Sequence, residues 1–243
     1  MNTEKYDLSG FQTGLDELNI RLSEAQIGQF LRYYELLIET NKVMNLTAIT
    51  EFDDVVVKHF LDSLSIAAYL PMEKVSSMID VGTGAGFPGI PLKIMFPQMS
   101  LCLLDSLMKR IRFLEETSES LSLKMVRCIH GRAEETARDK SCREAFDFCV
   151  SRAVSNLATL AEYCLPFVKP GGYFVSYKSG DIDEELAKAE KAISVLGGRL
   201  ERTEFFRIPG SDIDRSLLFI KKEKKTPSAY PRKAGTPQKE PIM

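Results

Sequence analysis

The chain is 243 residues long, 44% apolar and 27% charged, with no Trp and 9% aromatic residues. That composition is globular, excludes disorder over most of the length, and suits one α/β domain of ordinary size with a smaller appendage. Net charge is −2 but uneven: residues 221–243 hold seven Lys/Arg against Glu223 and Glu240, a net +5 that leaves −7 for residues 1–220.

A basic tail on an acidic body fits either a solvated, frayed terminus or contact with a polyanion. Apolar runs such as Ile66 to Leu70 fall far short of the ~20 residues a membrane helix needs, and the start, MNTEKYDLSG, has no apolar signal region. The five Cys (102, 128, 142, 149 and 164) are odd in number and form no C-x-x-C pair. They point to a reduced, cytoplasmic compartment with thiols acting as small core hydrophobes. Two His without a carboxylate cluster give no expectation of a metal.

Along the chain, the first twenty residues are weakly patterned. Ser23-Glu24-Ala25-Gln26 then reads as a capping box. Ile27, Phe30, Leu31, Tyr34, Leu37 and Ile38 follow at three- and four-residue steps, predicting an amphipathic helix that stops near Asn41. Asn45-Leu46-Thr47 reads as a polar loop, and a second helical segment runs from about Asp53 to Leu70, before Pro71. Residues 1–70 are therefore expected to be a helical cap. From Met78 onward short apolar runs predict strands at 78–82, 100–104, 125–129, 146–150, 173–177, 200–207 and 216–221, with helices at about 89–96, 107–121, 156–167 and 182–196. Such alternation argues for right-handed crossovers and a parallel sheet buried on both faces. Only a short link containing Pro209-Gly210 joins the last two strands, so they should pair antiparallel. Five parallel strands closed by a hairpin are the pattern of a Rossmann-like methyltransferase domain, expected over residues 71–225. Residues 226–243 carry Pro227, Pro231, Pro237 and Pro241 and should be extended rather than helical.

Directly after the first strand stands Asp80-Val81-Gly82-Thr83-Gly84-Ala85-Gly86-Phe87-Pro88-Gly89. Glycines at this spacing let the backbone turn tightly and approach a ligand, which makes Gly82, Gly84 and Gly86 cofactor-binding candidates. Asp105 ends the second strand 23 residues after Gly82, where a carboxylate meets ribose hydroxyls. That acid suits S-adenosyl-L-methionine or a nicotinamide cofactor equally. The G-x-G-x-G spacing differs from the dinucleotide G-x-G-x-x-G. Pro88 removes an N–H from the helix start, weakening a pyrophosphate cradle, and both features favour a sulfonium cofactor. Gly131-Arg132-Ala133-Glu134 after the third strand could line an adenine. Ser151-Arg152-Ala153-Val154 after the fourth places a cation where open sheets bind ligands.

The residues after the fourth strand narrow the acceptor. Ser151-Arg152-Ala153-Val154 is not the Asn/Asp-Pro-Pro-aromatic run of adenine-N6 enzymes, and Cys149, inside a strand and without a preceding Pro, reads as structural rather than nucleophilic. Guanine N7 has an in-plane lone pair and no proton, so its methylation needs orientation, exclusion of water and handling of positive charge, but no base. A flipped or unpaired guanine suits this better than one in an RNA duplex, where the major groove hides N7.

At these positions the sequence resembles the RsmG, or glucose-inhibited division protein B, family of small-subunit rRNA guanine-N7 methyltransferases. The resemblance rests on Asn41 to Thr47, His59 to Leu64, the glycine loop, Leu104-Asp105-Ser106 with Lys109-Arg110 and Phe113-Leu114, and Gly131 to Glu134. It continues through Ser151 to Val154, Gly171-Gly172, Lys178 and Tyr230 to Pro237, in order from Asn41 to Pro241. It implies S-adenosyl-L-methionine contacts at Gly82, Phe87, Ala133, Glu134 and Arg152, with Asp105 on the ribose. Arg152 and Lys178 would flank the guanine or its phosphate as positioning groups, with no general base. The implied partner is a 16S rRNA loop near the decoding region within the 30S subunit, met by a monomer. Two positions depart from the family pattern: Lys93 stands where it has a small residue, and Lys178 is followed by Ser179-Gly180 rather than directly by Gly; the former should alter only a helix surface. His59 and Asp62, three apart on a helix, are expected within hydrogen-bonding reach of each other, in a structural or gating role. Lys109, Arg110 and Arg112 with the tail could form an RNA surface. Two other classes stay open: a non-catalytic RNA-binding module on the same fold, and a nicotinamide-dependent oxidoreductase.

Overall fold

The structure, a computed structural model, describes residues 5–152, 154–180 and 182–243. Helix α1 (Ser9–Glu17) precedes α2 (Glu24–Met44) and buries Phe11 and Leu15, an element the weak early patterning did not announce. The capping box forms as read: Ser23 Oγ accepts from Gln26 N at 3.3 Å while Gln26 Oε1 accepts from Ser23 N at 2.9 Å. The helix runs past Asn41 to Asn45, whose φ of 51° is the left-handed turn that ends it. Asn41 instead folds the loop that follows, its Oδ1 accepting from Leu46 N and Thr47 N at 2.6 and 2.9 Å.

The second helical segment is not one regular helix. It comprises α3 (Phe52–Val55), a π-helical stretch Val56–Leu61, α4 (Asp62–Leu64) and a 3-10 turn Ser65–Ala68. Beyond it come β1 (Ser77–Val81), α5 (Gly89–Met95), β2 (Ser100–Asp105), α6 (Met108–Ser120) and β3 (Val126–His130). Then follow α7 (Ala133–Thr136), β4 (Phe146–Arg152), α8 (Leu157–Cys164), β5 (Val168–Ser179) and α9 (Asp183–Val195). The chain closes with β6 (Gly198–Arg207), β7 (Asp214–Lys222) and α10 (Thr236–Lys239).

The seven strands form one sheet in the order β3-β2-β1-β4-β5-β7-β6, with β7 antiparallel to both its neighbours and the other pairings parallel. β5 starts five residues before the expected run, pairing Val168 with Phe146 before a register shift near Gly171, whose φ is +93°. One face of the sheet packs on the N-terminal helices, where Phe30, Tyr33, Phe60 and Leu61 meet Phe87 and Ile90. The other packs on α8 and α9, with Leu160, Ala161 and Ile193 against Ile79, Cys149 and Phe174. Cys149 is fully buried, as a structural thiol should be.

Two expectations are corrected. Lys93 is not on a helix surface: it is 0% exposed, and its Nζ donates to Pro97 O at 2.7 Å and Met99 O at 2.5 Å. Its long stem reaches carbonyls that close the turn after α5, so the charge is solvated by backbone rather than water. The tail is also neither wholly extended nor frayed. Thr236–Lys239 forms one helical turn, which Pro237 allows because a first-turn N–H has no intrahelical partner to lose. Arg232 makes a bidentate pair with Glu162, itself 1% exposed at the side chain, and Thr159 Oγ1 donates to Pro237 O at 3.0 Å.

Candidate cofactor and acceptor site

The strand order reverses between β1 and β4, and the carboxyl ends of the strands there carry the candidate residues. Gly82 N and Thr83 N donate to Leu104 O at 2.9 and 3.2 Å, and Ser151 Oγ donates to Val81 O at 2.8 Å, so the turn is pinned from β2 and β4. Gly82, Gly84 and Gly86 have φ of 71°, 63° and 101°, conformations a Cβ disfavours. Their surroundings differ. A Cβ on Gly82 would meet Val154 Cγ2 at 2.6 Å and one on Gly86 would meet Tyr33 Oη at 2.7 Å, but one on Gly84 meets nothing within 4 Å. Gly84 therefore faces open space, while Gly86 admits the cap, where Tyr33 Oη donates to Ala85 O at 2.5 Å.

Asp80 organises the same turn from below. It is fully buried; its Oδ2 accepts from Thr83 Oγ1 at 2.7 Å and Gly89 N at 2.9 Å, and Oδ1 has no hydrogen-bond partner among the described residues. Burial pushes this carboxyl up to about 6. Asp105 is 3% exposed; Oδ2 accepts from Gly84 N at 3.0 Å and Arg110 Nη1 at 3.2 Å, and Oδ1 from Leu107 N at 2.9 Å. Arg110, expected on an RNA surface, is thus turned inward to an acid. Lys109 Nζ donates to Met44 O at 3.0 Å.

Two cavities open at this edge. The smaller, about 130 Å³, is lined by Gly82, Asp105, Ala133 and Glu134 together with Arg132 and Tyr163. The larger, about 450 Å³, is lined by Arg152 and Lys178 with His59, Asp62, Glu185 and Arg215. The structure thus places Gly82, Asp105, Ala133 and Glu134 at one space and Arg152 and Lys178 at the other, with Phe87 buried beneath the second; Gly84 and Gly86 line neither. His59 stacks on Phe87 at 4.5 Å between centroids, and the Arg152 guanidinium lies 5.2 Å over the same ring. Glu134 is buried, and its Oε1 accepts from Gly235 N at 2.8 Å, so the tail holds the wall of the smaller cavity. Ala153 lies outside the described residues.

The charged walls of the larger cavity are paired. Asp62, 2% exposed at the side chain, accepts from Arg152 Nη1 through Oδ2 at 2.6 Å and from Arg215 Nε through Oδ1 at 3.2 Å. Lys178 Nζ donates to Glu185 Oε1 at 2.6 Å and Ser155 O at 2.8 Å. His59 and Asp62 do not bond each other as expected, because the π-helical winding changes the three-residue spacing; both instead meet Arg152. Burial, and then the Arg152 charge, bring the His59 imidazole down to about 3. It is neutral at pH 7, with Nε2 3.0 Å from Thr47 Oγ1 and Nδ1 3.1 Å from Lys58 O. Sequence reading missed Arg215, Glu185, Tyr33 and the role of Asp80. Only Asp80, immediately before the glycine loop, carried a local signal.

Residues 26–217 match the GidB family, described as rRNA small subunit methyltransferase G. A Lachnoclostridium phytofermentans protein named ribosomal RNA small subunit methyltransferase G is 53% identical over 237 residues, covering 98% of each chain. One of the same name from Alkaliphilus oremlandii is 55% identical over 229 residues, 94% of this chain and 96% of that one. Among solved structures, a SAM-dependent methyltransferase from Aquifex aeolicus aligns at TM-score 0.53 and 16% identity, over 72% of this chain and 96% of that one. A SAM-dependent O-methyltransferase from Thermotoga maritima aligns at TM-score 0.53 and 16% identity, over 78% and 72%. These structures share the Rossmann-like methyltransferase fold that the strand pattern predicts.

Proposed function

Because the chain belongs to the GidB, or rRNA small subunit methyltransferase G, family, we propose that it transfers a methyl group from S-adenosyl-L-methionine to guanine N7 of 16S rRNA. Neither the nicotinamide oxidoreductase nor the non-catalytic module is favoured by these relatives. One observation carries the chemical reading. The glycine turn and Asp105 adjoin a second cavity whose described cations are held by acids, and whose imidazole has both nitrogens in contact with protein atoms. Such a cavity can orient an acceptor while its imidazole is engaged and its cations are paired, which suits an atom with no proton to lose.

The residues present fit the methyl donor. Gly84 faces open space, and the buried Asp80 Oδ1, under the same turn, has no hydrogen-bond partner among the described residues. The donor, when bound, supplies an electrophilic methyl on a positively charged sulfur. Gly82, Gly84, Gly86 and Phe87 would shape its seat, Asp105 would take ribose hydroxyls in exchange for its present N–H donors, and Ala133 and Glu134 would border the base. Arg152 and Lys178 would position the acceptor. Residues 1–70 would act as a cap that delivers Tyr33, His59 and Asp62 to this edge. Residues 71–225 would be the catalytic domain, and residues 226–243 a strap behind the smaller cavity. Among the described residues no helix is long and apolar enough to cross a membrane. A monomer working in the cytoplasm on the 30S subunit completes the reading.

Incubation with methyl-labelled donor and 30S particles, followed by nucleoside analysis of the rRNA, tests it. Label in 7-methylguanosine is expected; label in another nucleoside, or none, overturns the assignment.

A further inference from the structure

A purine that presents N7 toward a methyl donor turns its Watson–Crick edge the other way. On guanine that edge carries two adjacent donors, N1–H and the N2 amino group, and a carboxylate is the side chain that accepts from both. Two acids line the larger cavity. Asp62 has both oxygens taken by guanidinium groups. Glu185 differs: Oε1 accepts from Lys178 Nζ and from Leu157 N, both at 2.6 Å, whereas Oε2 takes no hydrogen bond among the described residues. Its side chain is 30% exposed. It stands on the first turn of α9, after β5, so β4, which ends at Arg152, lies between it and the glycine turn that follows β1. One oxygen fixed by a cation and a backbone amide, and the other without a hydrogen bond on a residue that lines the cavity, is a rigid acceptor with unused capacity.

We infer that Glu185 reads the Watson–Crick edge of the acceptor guanine and thereby sets base specificity. This rests on the methyl-transfer reading above. Adenine places an acceptor at N1 and would set a lone pair against the carboxylate; hypoxanthine keeps N1–H but lacks the amino group. The same contact helps the chemistry. The N7 lone pair forms the new C–N bond, the electrons of the broken C–S bond stay on sulfur, and no proton moves. Positive charge therefore spreads over the purine, N1–H becomes a stronger donor, and its bond to Glu185 strengthens as the reaction proceeds. Lys178 acts through Glu185, as a positioning residue that holds Oε1 and leaves Oε2 to the base.

The test uses 30S particles reconstituted with ligated rRNA carrying guanine or hypoxanthine at the methylated position, and compares the full chain with Glu185→Gln. Gln keeps the size and one oxygen for Lys178 and Leu157, but replaces the free acceptor with a donor. The unaltered protein should favour guanine over hypoxanthine in kcat/KM by about 10- to 100-fold, the range one or two base-edge hydrogen bonds give. Glu185→Gln should lower kcat/KM on guanine by about 100-fold or more, bring the two bases within about threefold of each other, and bind S-adenosyl-L-methionine as before by calorimetry. Retention of the original base ratio by a variant that still binds the donor overturns the inference alone. Failure of the unaltered protein to form 7-methylguanosine overturns the function it rests on.

Discussion

Replacing Asp62 with Ala removes one carboxylate from between two guanidinium groups and leaves both cations facing each other in a half-closed space. The side chains of Arg152 and Arg215 are only 13% and 22% exposed, so water replaces the lost partner poorly. Each keeps one carbonyl, Lys58 O for Arg152 and Asp214 O for Arg215, both at 3.2 Å. Breaking a buried ion pair on one side costs about 3–5 kcal/mol. For a chain of this size that corresponds to a fall in Tm of about 6–20 °C. Asp62→Asn retains one acceptor oxygen and should lose about half as much. Because Arg152 would leave its place over Phe87, turnover should fall by about 100-fold, the usual cost of misplacing a positioning group by about 1 Å. Urea unfolding and methyl transfer to 30S particles read the two effects separately. An Asp62→Ala protein within about 1 kcal/mol of its parent, with unchanged kcat, would refute the idea that this acid sets the cavity wall.

Other expectations follow from single features. Gly84→Ala places its methyl in open space at a left-handed φ, so it should cost only about 1–2 kcal/mol of stability yet weaken S-adenosyl-L-methionine binding at least tenfold by calorimetry; Gly82→Ala, which collides with Val154, should lose more stability. Equal affinity in Gly84→Ala and its parent would remove the cofactor from that turn. Arg232→Ala strands the buried Glu162 and should destabilise the fold by about 3–5 kcal/mol in chemical unfolding, whereas a merely frayed tail would give no change. For His59 the folded pKa of about 3 lies below the unfolded value near 6.5, so the neutral ring contributes stability above pH 6.5 that is lost as pH falls toward 3. The loss by pH 5 is about 2 kcal/mol. Asp80 works in the opposite sense: its raised pKa of about 6 makes its ionised form costly, and protonation between pH 6 and 4 relieves this. The stability difference between the parent and His59→Gln, measured at pH 7 and pH 5, isolates the ring and should shrink by about 2 kcal/mol; a constant difference contradicts the burial argument.

What was legible in the sequence was local. The Ser23 capping box, the strand–helix alternation and the short link before β7 each arise from a few neighbouring residues, and the structure forms all three. The glycine turn and Asp105 were legible as well, because a strand, a tight turn and an acid at the next strand end follow a short-range rule. What escaped depended on distant partners. Nothing near Lys93 announces that its ammonium will be solvated by the carbonyls of Pro97 and Met99. Arg215 and Glu185 look like ordinary surface charges until β5–β7 pairing and the α9 entrance bring them beside Arg152 and Lys178. The π-helical turn was hidden for a related reason: the apolar pattern from Phe52 fits a helix of either winding, and only packing against Phe87 and Arg152 decides how His59 and Asp62 point. The tail was misread because proline content limits helix length but says nothing of docking; Glu162, 70 residues earlier, holds it.

Calorimetric titration of S-adenosyl-L-methionine into the intact protein, alongside Asp105→Ala, addresses the account most directly. Saturable one-to-one heat in the parent, lost or weakened at least tenfold in the variant while its unfolding transition persists, is the predicted result. No binding heat and no thermal stabilisation of the parent at millimolar donor would contradict it.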